Sequence, residues 1–213
     1  MYKTKTDRAN FRLFQIIYLV GIAILFMSCS ENSNNNNSDL LRTSVTQTSL
    51  LKDTILSIEK NLELKHQAIS SIDISKFKDI RDYEKYMYPP ILKYLKKDYP
   101  ELEEQEMIVF LFEQIKKMRV ERKALFKNLQ YKIIDPVKIF TLNNILFSKV
   151  NYSTINITDT TKKISSIILG ISKNSGKKWQ FLVHDNDVET NADLKGILEQ
   201  EFTPEETSQI ILK

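Results

Sequence analysis

Few side chains of this sequence are suited to nucleophilic, acid–base or metal chemistry. The 213 residues include one cysteine, Cys29, and two histidines, His66 and His184. Cys29 supplies the only thiol, and its thiolate form is a nucleophile that can accept a lipid group. His66 falls on an apolar helical stripe, where we expect a partly buried, hydrogen-bonded residue. His184 follows the last predicted strand. It could form a carboxylate pair or a metal site with Asp185 and Asp187, but we favour a solvated strand end because adjacent strand residues point to opposite faces.

None of the common catalytic motifs accompanies these residues. The sequence has no Gly-rich phosphate loop, no nucleophile elbow and no His-Glu-x-x-His pair for zinc. Motifs alone therefore predict no catalytic residue, no metal site and no cofactor.

The chain begins with the features of a secretory signal. Residues 3–12 are rich in basic side chains, and residues 13–27 form an apolar core of fifteen residues interrupted by Gln15 and Gly21. A bilayer span needs about 20 apolar residues, so this core is short for a membrane helix. Its length suits the apolar region of a signal peptide, which is followed by small residues at the cleavage point.

The four residues at the end of this core indicate lipid attachment. Phe26-Met27-Ser28-Cys29 resembles the lipobox of bacterial lipoproteins, with Phe26 at the position where Leu is usual. The resemblance implies that residues 1–28 are a signal peptide and that Cys29 carries the lipid that anchors the protein to a membrane. The alternative is an ordinary signal peptide or a short membrane anchor, with Cys29 incidental.

A polar segment follows Cys29. Residues 30–39 contain no apolar side chain, so residues 29–39 are predicted to be a solvated Asn/Ser-rich tether. Ser30 stands where an Asp retains some lipoproteins at the inner membrane, and by that resemblance we expect the outer membrane of the cell envelope. Whether the protein faces the periplasm or the cell surface stays open.

The distribution of charge argues against a nucleic-acid partner. The chain has 31 basic and 27 acidic residues, but residues 1–28 hold a surplus of three cations. The rest is nearly neutral and has no overall basic footprint for nucleic acid. The expected partners are the membrane, through the lipid, and an unidentified small molecule or envelope protein.

Residues 40–213 have the pattern of a single α+β domain. Helical periodicity runs to residue 128 and includes a long helix over 101–126, after which apolar residues alternate with period two. Helices before an antiparallel meander predict N-terminal helices packed on one face of a curved sheet, followed by a C-terminal helical segment. The first helix carries an apolar stripe at Leu51, Ile55, Ile58, Leu62, His66 and Ile69. The predicted strands lie near residues 129–133, 146–157, 162–172 and 179–183.

Tyrosines are concentrated among the predicted short helices. Tyr83, Tyr86, Tyr88 and Tyr94, together with Trp179 on the last strand, could line a ligand pocket with apolar walls and hydroxyl tips. The alternative, which we favour, is that the tyrosines pack the short helices onto the sheet and that Trp179 belongs to the core.

Two segments of the domain resemble a group of proteins. Residues 82–89, DYEKYMYP, and residues 169–182, LGISKNSGKKWQFL, are similar to segments of uncharacterised lipoproteins of Bacteroidota. Those proteins look like relatives of the NTF2-like cone fold, so the resemblance implies a cone-shaped α+β domain over about residues 40–213 and assigns no activity. We expect a non-enzymatic ligand- or partner-binding module. The alternative is a small cone-fold enzyme, of isomerase or dehydratase type, that uses a buried carboxylate and a tyrosine.

Overall fold

The computed structural model describes residues 52–184 and 188–213. The predictions for the signal peptide, Cys29 and the tether lie outside the described residues. The described strands are β1 (Lys52–Asp53), β2 (Leu129–Leu142), β3 (Ile145–Asn156), β4 (Asp159–Ser172) and β5 (Gln180–His184). The described helices are α1 (Ile58–Ile72), a 3₁₀ turn (Ile74–Lys76), α2 (Ile80–Glu84), α3 (Pro90–Leu95), α4 (Glu104–Glu121), α5 (Lys123–Lys127), α6 (Val188–Leu198) and α7 (Pro204–Leu212).

The five strands form a meander in which each strand pairs with the next along the chain. The order is β1-β2-β3-β4-β5, and every pairing is antiparallel. Asn143 and Asn144 join β2 to β3 with φ angles of 50° and 63°, the positive values of a tight two-residue hairpin. Ser175 and Gly176 also have positive φ, in the loop between β4 and β5, where the sequence Asn-Ser-Gly favours a turn. The α+β class is confirmed.

The last helix, α7, packs on one face of the sheet. Phe147 and Ser148 are neighbours on β3 and so point to opposite faces. The rings of Phe147 and Phe202 meet edge to face with 5.5 Å between centroids. Lys149, which shares the face of Phe147, donates a hydrogen bond from Nζ to the carbonyl of Ile211 at 2.5 Å. The last helix therefore covers the Phe147 face.

The N-terminal helices pack on the opposite face, that of Ser148. Gly170 lies beside Ser148 in the β3–β4 register, and a Cβ at Gly170 would stand 3.0 Å from Phe181 Cε1 and 3.1 Å from Trp179 Cε3. Because Gly170 has no side chain, the rings of Phe181 and Trp179 can pack across β4 at this position. The ring of Tyr86 contacts that of Phe181, which brings the region of α2 onto this face. Helices therefore lie on both faces of the sheet. The N-terminal helices pack on a single face as predicted, but α7 covers the other face, which the prediction left uncovered.

The boundaries of several helices follow the predicted local signals. Thr203 and Glu206 form a capping box at the start of α7, a local signal visible in the sequence Thr-Pro-Glu-Glu, with Pro204 as the first helical residue. Helix α4 lies within the predicted 101–126 range and buries Ile108, Phe112, Ile115 and Met118, which recur at three or four residues. Strands β3 and β4 begin one and three residues earlier than predicted.

The first helix differs from the prediction in both its start and its buried face. Lys52 and Asp53 pair with β2 as β1, so the helix begins only at Ile58. Its buried residues are Leu64, Gln67, Ala68, Ser71 and Ile72. At about 100° per residue, Leu64 lies about 200° around the helix from Leu62. Of the predicted apolar stripe, Ile55, Ile58, Leu62 and His66 are therefore exposed, Ile69 is half-buried, and Leu51 lies outside the described residues.

Candidate functional site

The predicted pocket residues lie in separate environments. Tyr83 and Tyr86 border one interior cavity of about 10 Å³, together with Ser71, Phe77, Met87 and Phe181. A cavity of that size holds at most a single water molecule. Tyr88, Tyr94 and Trp179 do not border it, and each has its own hydrogen-bond partner. The five side chains are therefore not brought together around one ligand-sized space.

Tyr83 combines complete burial with an unsatisfied hydroxyl. The residue is 1% exposed, and its ring stacks on Phe112 with 6.4 Å between centroids. Its Oη has no hydrogen-bond partner among the described residues. Burial raises the pKa of the Tyr83 phenol above its ordinary value, so the group stays protonated.

Tyr88 is buried but contacts a charged pair at the edge of the core, formed by Glu201 and Lys173. Its hydroxyl donates a hydrogen bond to Glu201 Oε2, and Lys173 Nζ binds the other carboxylate oxygen, Oε1. Burial alone raises the pKa of Glu201, but the hydrogen bonds from Lys173 and Tyr88 outweigh it and leave this pKa below its ordinary value. Burial and the adjacent carboxylate raise the pKa of Tyr88. These side chains therefore include an ionised carboxylate and a protonated phenol that hold the β4–β5 loop to the start of α3.

Tyr94 forms a second contact of the same kind. Its Oη donates to Asp193 Oδ1 at 2.6 Å, which joins α3 to α6. The ring lies against Gly196, one turn further along α6, where a Cβ would be 3.1 Å from Cδ2 and 3.2 Å from Cζ. The hydroxyl of Tyr94 thus acts in packing two helices together.

Trp179 is the largest fully buried side chain and belongs to the core, at 0% exposure. Its indole Nε1 donates to the carbonyl of Gly176 at 3.1 Å, and its backbone N–H donates to Gln67 Oε1 at 2.9 Å. Gln67 Nε2 in turn donates to the carbonyl of Lys177 at 3.2 Å. One buried amide thereby fixes α1 to the β4–β5 loop. Gln67 was not among the predicted site residues, although it lies three residues after Leu64 and four before Ser71, a spacing that places it on the buried face of the helix.

The structure tests the prediction for His66 but not the one for the side chain of His184. His66 is exposed, so the expectation of a partly buried core residue is wrong, because the face of α1 that carries it is turned outward. His184 ends β5, but its side chain and residues 185–187 lie outside the described residues. Among the side chains that the structure describes, no group of three or more His, Cys, Asp or Glu is placed to hold a metal ion.

The outward face of the first helix is the most apolar exposed feature of the described chain. Ile58 is 82% exposed and Leu62 61% exposed, and Ile55, just before the helix, is 97% exposed. Ile58, Leu62 and His66 are spaced by four residues and so lie on one side of the helix. These three residues are called the outer face of α1 below.

A cleft borders the outer face of α1. It has a volume of about 620 Å³ and lies between α1 and the β4–β5 loop, where Leu62, Glu63 and His66 face Gly176 and Lys177. Its wall mixes one apolar side chain with charges of both signs. Such a lining suits a polypeptide with apolar and charged groups better than a small apolar ligand, which needs a mainly apolar pocket.

Comparison of the chain with protein-family models, with curated proteins and with solved structures finds no match. No described helix is both long and apolar enough to cross a membrane.

Proposed function

We propose that this protein is a lipid-anchored, non-enzymatic component of the cell envelope that binds a partner protein through the outer face of α1. The observation that carries the proposal is the exposure of Ile58 and Leu62 on a helix that already has a complete buried face. Only one apolar side of such a helix packs on its own core, so the second apolar side can bind another protein.

The energetics favour a protein partner at this face. Burying an Ile or Leu side chain contributes about 1.5–3 kcal/mol, so covering Ile58 and Leu62 would contribute several kcal/mol to association. The side chains stand on a convex helix, and a convex apolar stripe with a spacing of four residues fits the groove of another protein. The adjoining cleft, with Glu63 and Lys177, supplies polar contacts at the rim.

The membrane part of the proposal comes from the N-terminal sequence. A basic segment, a short apolar core and the Phe-Met-Ser-Cys tetrapeptide support cleavage after Ser28 and lipidation of Cys29. Mass spectrometry of the mature protein should find Cys29 at the N-terminus, carrying acyl chains. A mature chain that begins downstream of Cys29, or that carries it unmodified, would refute the anchor.

We also propose that the domain is a variant of the NTF2-like cone. The supporting features are the helices that precede the antiparallel strands β2 to β5 and the register shift between Ile134 and Lys138 in the long strand β2, a feature that commonly bends a strand. A departure from the expected arrangement is α7, which packs on the face opposite the N-terminal helices. A crystal structure that can be superposed on members of that fold would test this assignment.

The alternative, a small cone-fold enzyme, would need a carboxylate base beside a tyrosine. Tyr88 and Glu201 form such a pair, but the pKa of Glu201 is lowered, whereas a general base that works near neutral pH needs a raised one. For this reason we do not propose catalysis at this pair.

Site-specific photo-crosslinking in cells tests the docking face. A photoreactive residue at Leu62 should give a discrete adduct with another protein, and Ile58→Asp should abolish that adduct. The matched control is the same residue at Glu113, which is exposed on α4, where no adduct is expected. The purified partner should then bind the wild type at least ten times more tightly than Ile58→Asp. Equal crosslinking at both positions, or adducts only between copies of this chain, would contradict the proposal.

A further inference from the structure

A second cleft lies at the other end of the domain and is lined by cations. Its volume is about 480 Å³, and it lies between the 3₁₀ turn, the end of α4 and α5. Four of its lining residues are basic: Lys116, Arg119, Lys123 and Lys127. The near-neutral charge of the domain as a whole conceals this local concentration, since residues 116–127 contain six basic residues and one acidic residue.

Arg119 is held in place by the fold. Its Nη1 donates to the carbonyl of Phe77, and its Nη2 donates to the carbonyl of Ser75 at 2.8 Å. A guanidinium has five N–H donors, so three remain after these two contacts. A pre-positioned guanidinium of this kind suits the oxygen atoms of a phosphate group.

The lysines around Arg119 differ in how their charges are compensated. Lys116 pairs with Glu113 at 2.7 Å. Within residues 52–184 and 188–213, Lys123 and Lys127 have no ion-pair partner, and both are exposed. The dipole of α4 favours a cation such as Arg119 in its last turn, but it does not account for Lys123, which begins the next helix. Two of the cations that line the cleft therefore have no ion-pair partner in the described part of the chain.

Apolar side chains accompany these charges. Val120 borders the same cleft and is 77% exposed, while Phe126 forms part of the wall. An exposed Val among lysines is unfavourable in water, but it suits the boundary between lipid headgroups and acyl chains. A small soluble phosphate would leave Val120 uncovered, so the combination favours a lipid surface.

We infer that this cleft docks on an anionic bilayer, where it binds the phosphate of a lipid headgroup and lets Val120 enter the interface. The attraction between the lysines and anionic lipids acts within a Debye length of about 8 Å at physiological salt, so the contact orients the domain only when it is already near the membrane. This contact is separate from the lipid on Cys29, and its occupant differs from that of the outer face of α1.

Amine footprinting of the full-length protein in vesicles tests the inference. Vesicles of phosphatidylcholine are compared with vesicles that also contain phosphatidylglycerol, and the labelling of each lysine is measured by mass spectrometry. We expect at least fivefold protection of Lys116, Lys123 and Lys127 in the anionic vesicles, lost in 0.5 M salt. Lys178 is the internal control. It is exposed in the β4–β5 loop, about 30 Å away along the strands, and its labelling should not change.

Charge-removing variants complete the test. Lys123→Gln with Lys127→Gln should abolish the protection of Lys116, whereas Lys177→Gln with Lys178→Gln should leave it intact. Equal protection in both vesicle types would overturn the inference. So would protection by inorganic phosphate in detergent together with none in anionic vesicles. Flotation with neutral vesicles reports the lipid anchor independently, so failure of the anchor and failure of the cleft can be distinguished.

Discussion

Gln67 on the first helix accepts the backbone N–H of Trp179 through its side-chain oxygen, with 2.9 Å between Oε1 and N. Both residues are buried, and they are separated by 112 positions in the sequence. In the β4–β5 loop no strand carbonyl accepts the N–H of Trp179, and the side-chain oxygen of Gln67 accepts it instead. Together with the burial of Leu64, Ala68 and Ile72, the contact holds α1 in a rotation that leaves Ile58 and Leu62 exposed.

Removing this amide should destabilise the protein. Gln67→Ala leaves the buried N–H of Trp179 unpaired, which costs about 1–3 kcal/mol in the free energy of unfolding. Urea denaturation followed by the fluorescence of Trp179 measures this change. Gln105→Ala, at an exposed position on α4, is the control and should change stability by less than about 0.5 kcal/mol. A similar effect of both substitutions would show that the Gln67 contact contributes nothing specific.

The two buried tyrosines should respond differently to loss of the hydroxyl. Tyr88→Phe removes a hydrogen bond to the charged Glu201 and should lower the free energy of unfolding by about 1–3 kcal/mol. Tyr83→Phe removes a hydroxyl that has no described partner, so the protein should keep or slightly gain stability. Denaturant titration of both variants measures the difference. A loss above about 1 kcal/mol in Tyr83→Phe would instead indicate a partner for this hydroxyl, such as a water molecule in the adjacent cavity.

The lowered pKa of Glu201 predicts an acid-dependent contribution to stability. A carboxyl whose pKa is lower in the folded state stabilises the fold above its ordinary value of 4.5, and this stabilisation is lost as the pH falls toward the lowered pKa. The Tm of Glu201→Gln should therefore lie below that of the wild type at pH 7, and the gap should close below pH 4.5. Thermal unfolding between pH 3 and 7 checks this, with Glu199→Gln as the control for loss of a nearby negative charge. A gap that is constant over this range would show that the carboxylate is not the stabilising form.

Replacing Gly196, which lies within α6, by alanine should destabilise the protein. In an exposed helix the change from Gly to Ala gains about 1 kcal/mol, but here the new Cβ would collide with the ring of Tyr94, which Asp193 holds in place. We expect Gly196→Ala to cost about 1–3 kcal/mol. In a Tyr94→Ala background the same change should become neutral or stabilising. A double-mutant cycle measures this coupling, and additive effects would contradict the proposed contact.

Much of the secondary structure followed from local sequence signals. The capping box at Thr203 and the three- and four-residue spacing of Ile108, Phe112 and Ile115 depend on neighbours along the chain, so the sequence reveals them directly. The candidate site was less predictable. Tyr88 and Trp179 were recognised as unusual, but their partners Glu201 and Gln67 lie more than 100 residues away, and spacing carries no information about such contacts.

Residue types and their order along the chain were enough to predict an α+β domain and a thiol positioned for acylation, because local propensity, capping and apolar period act over a few residues. The orientation of α1 was decided only by tertiary structure. Its sequence contains two stripes, and the more apolar one, with Ile58 and Leu62, predicts the wrong buried face. The other stripe is buried because Gln67 can satisfy backbone groups of the β4–β5 loop that water can no longer reach. Turning Ile58 and Leu62 inward would expose Leu64 and Ile72 in exchange, so the rotation would lose these hydrogen bonds without a compensating gain in apolar burial.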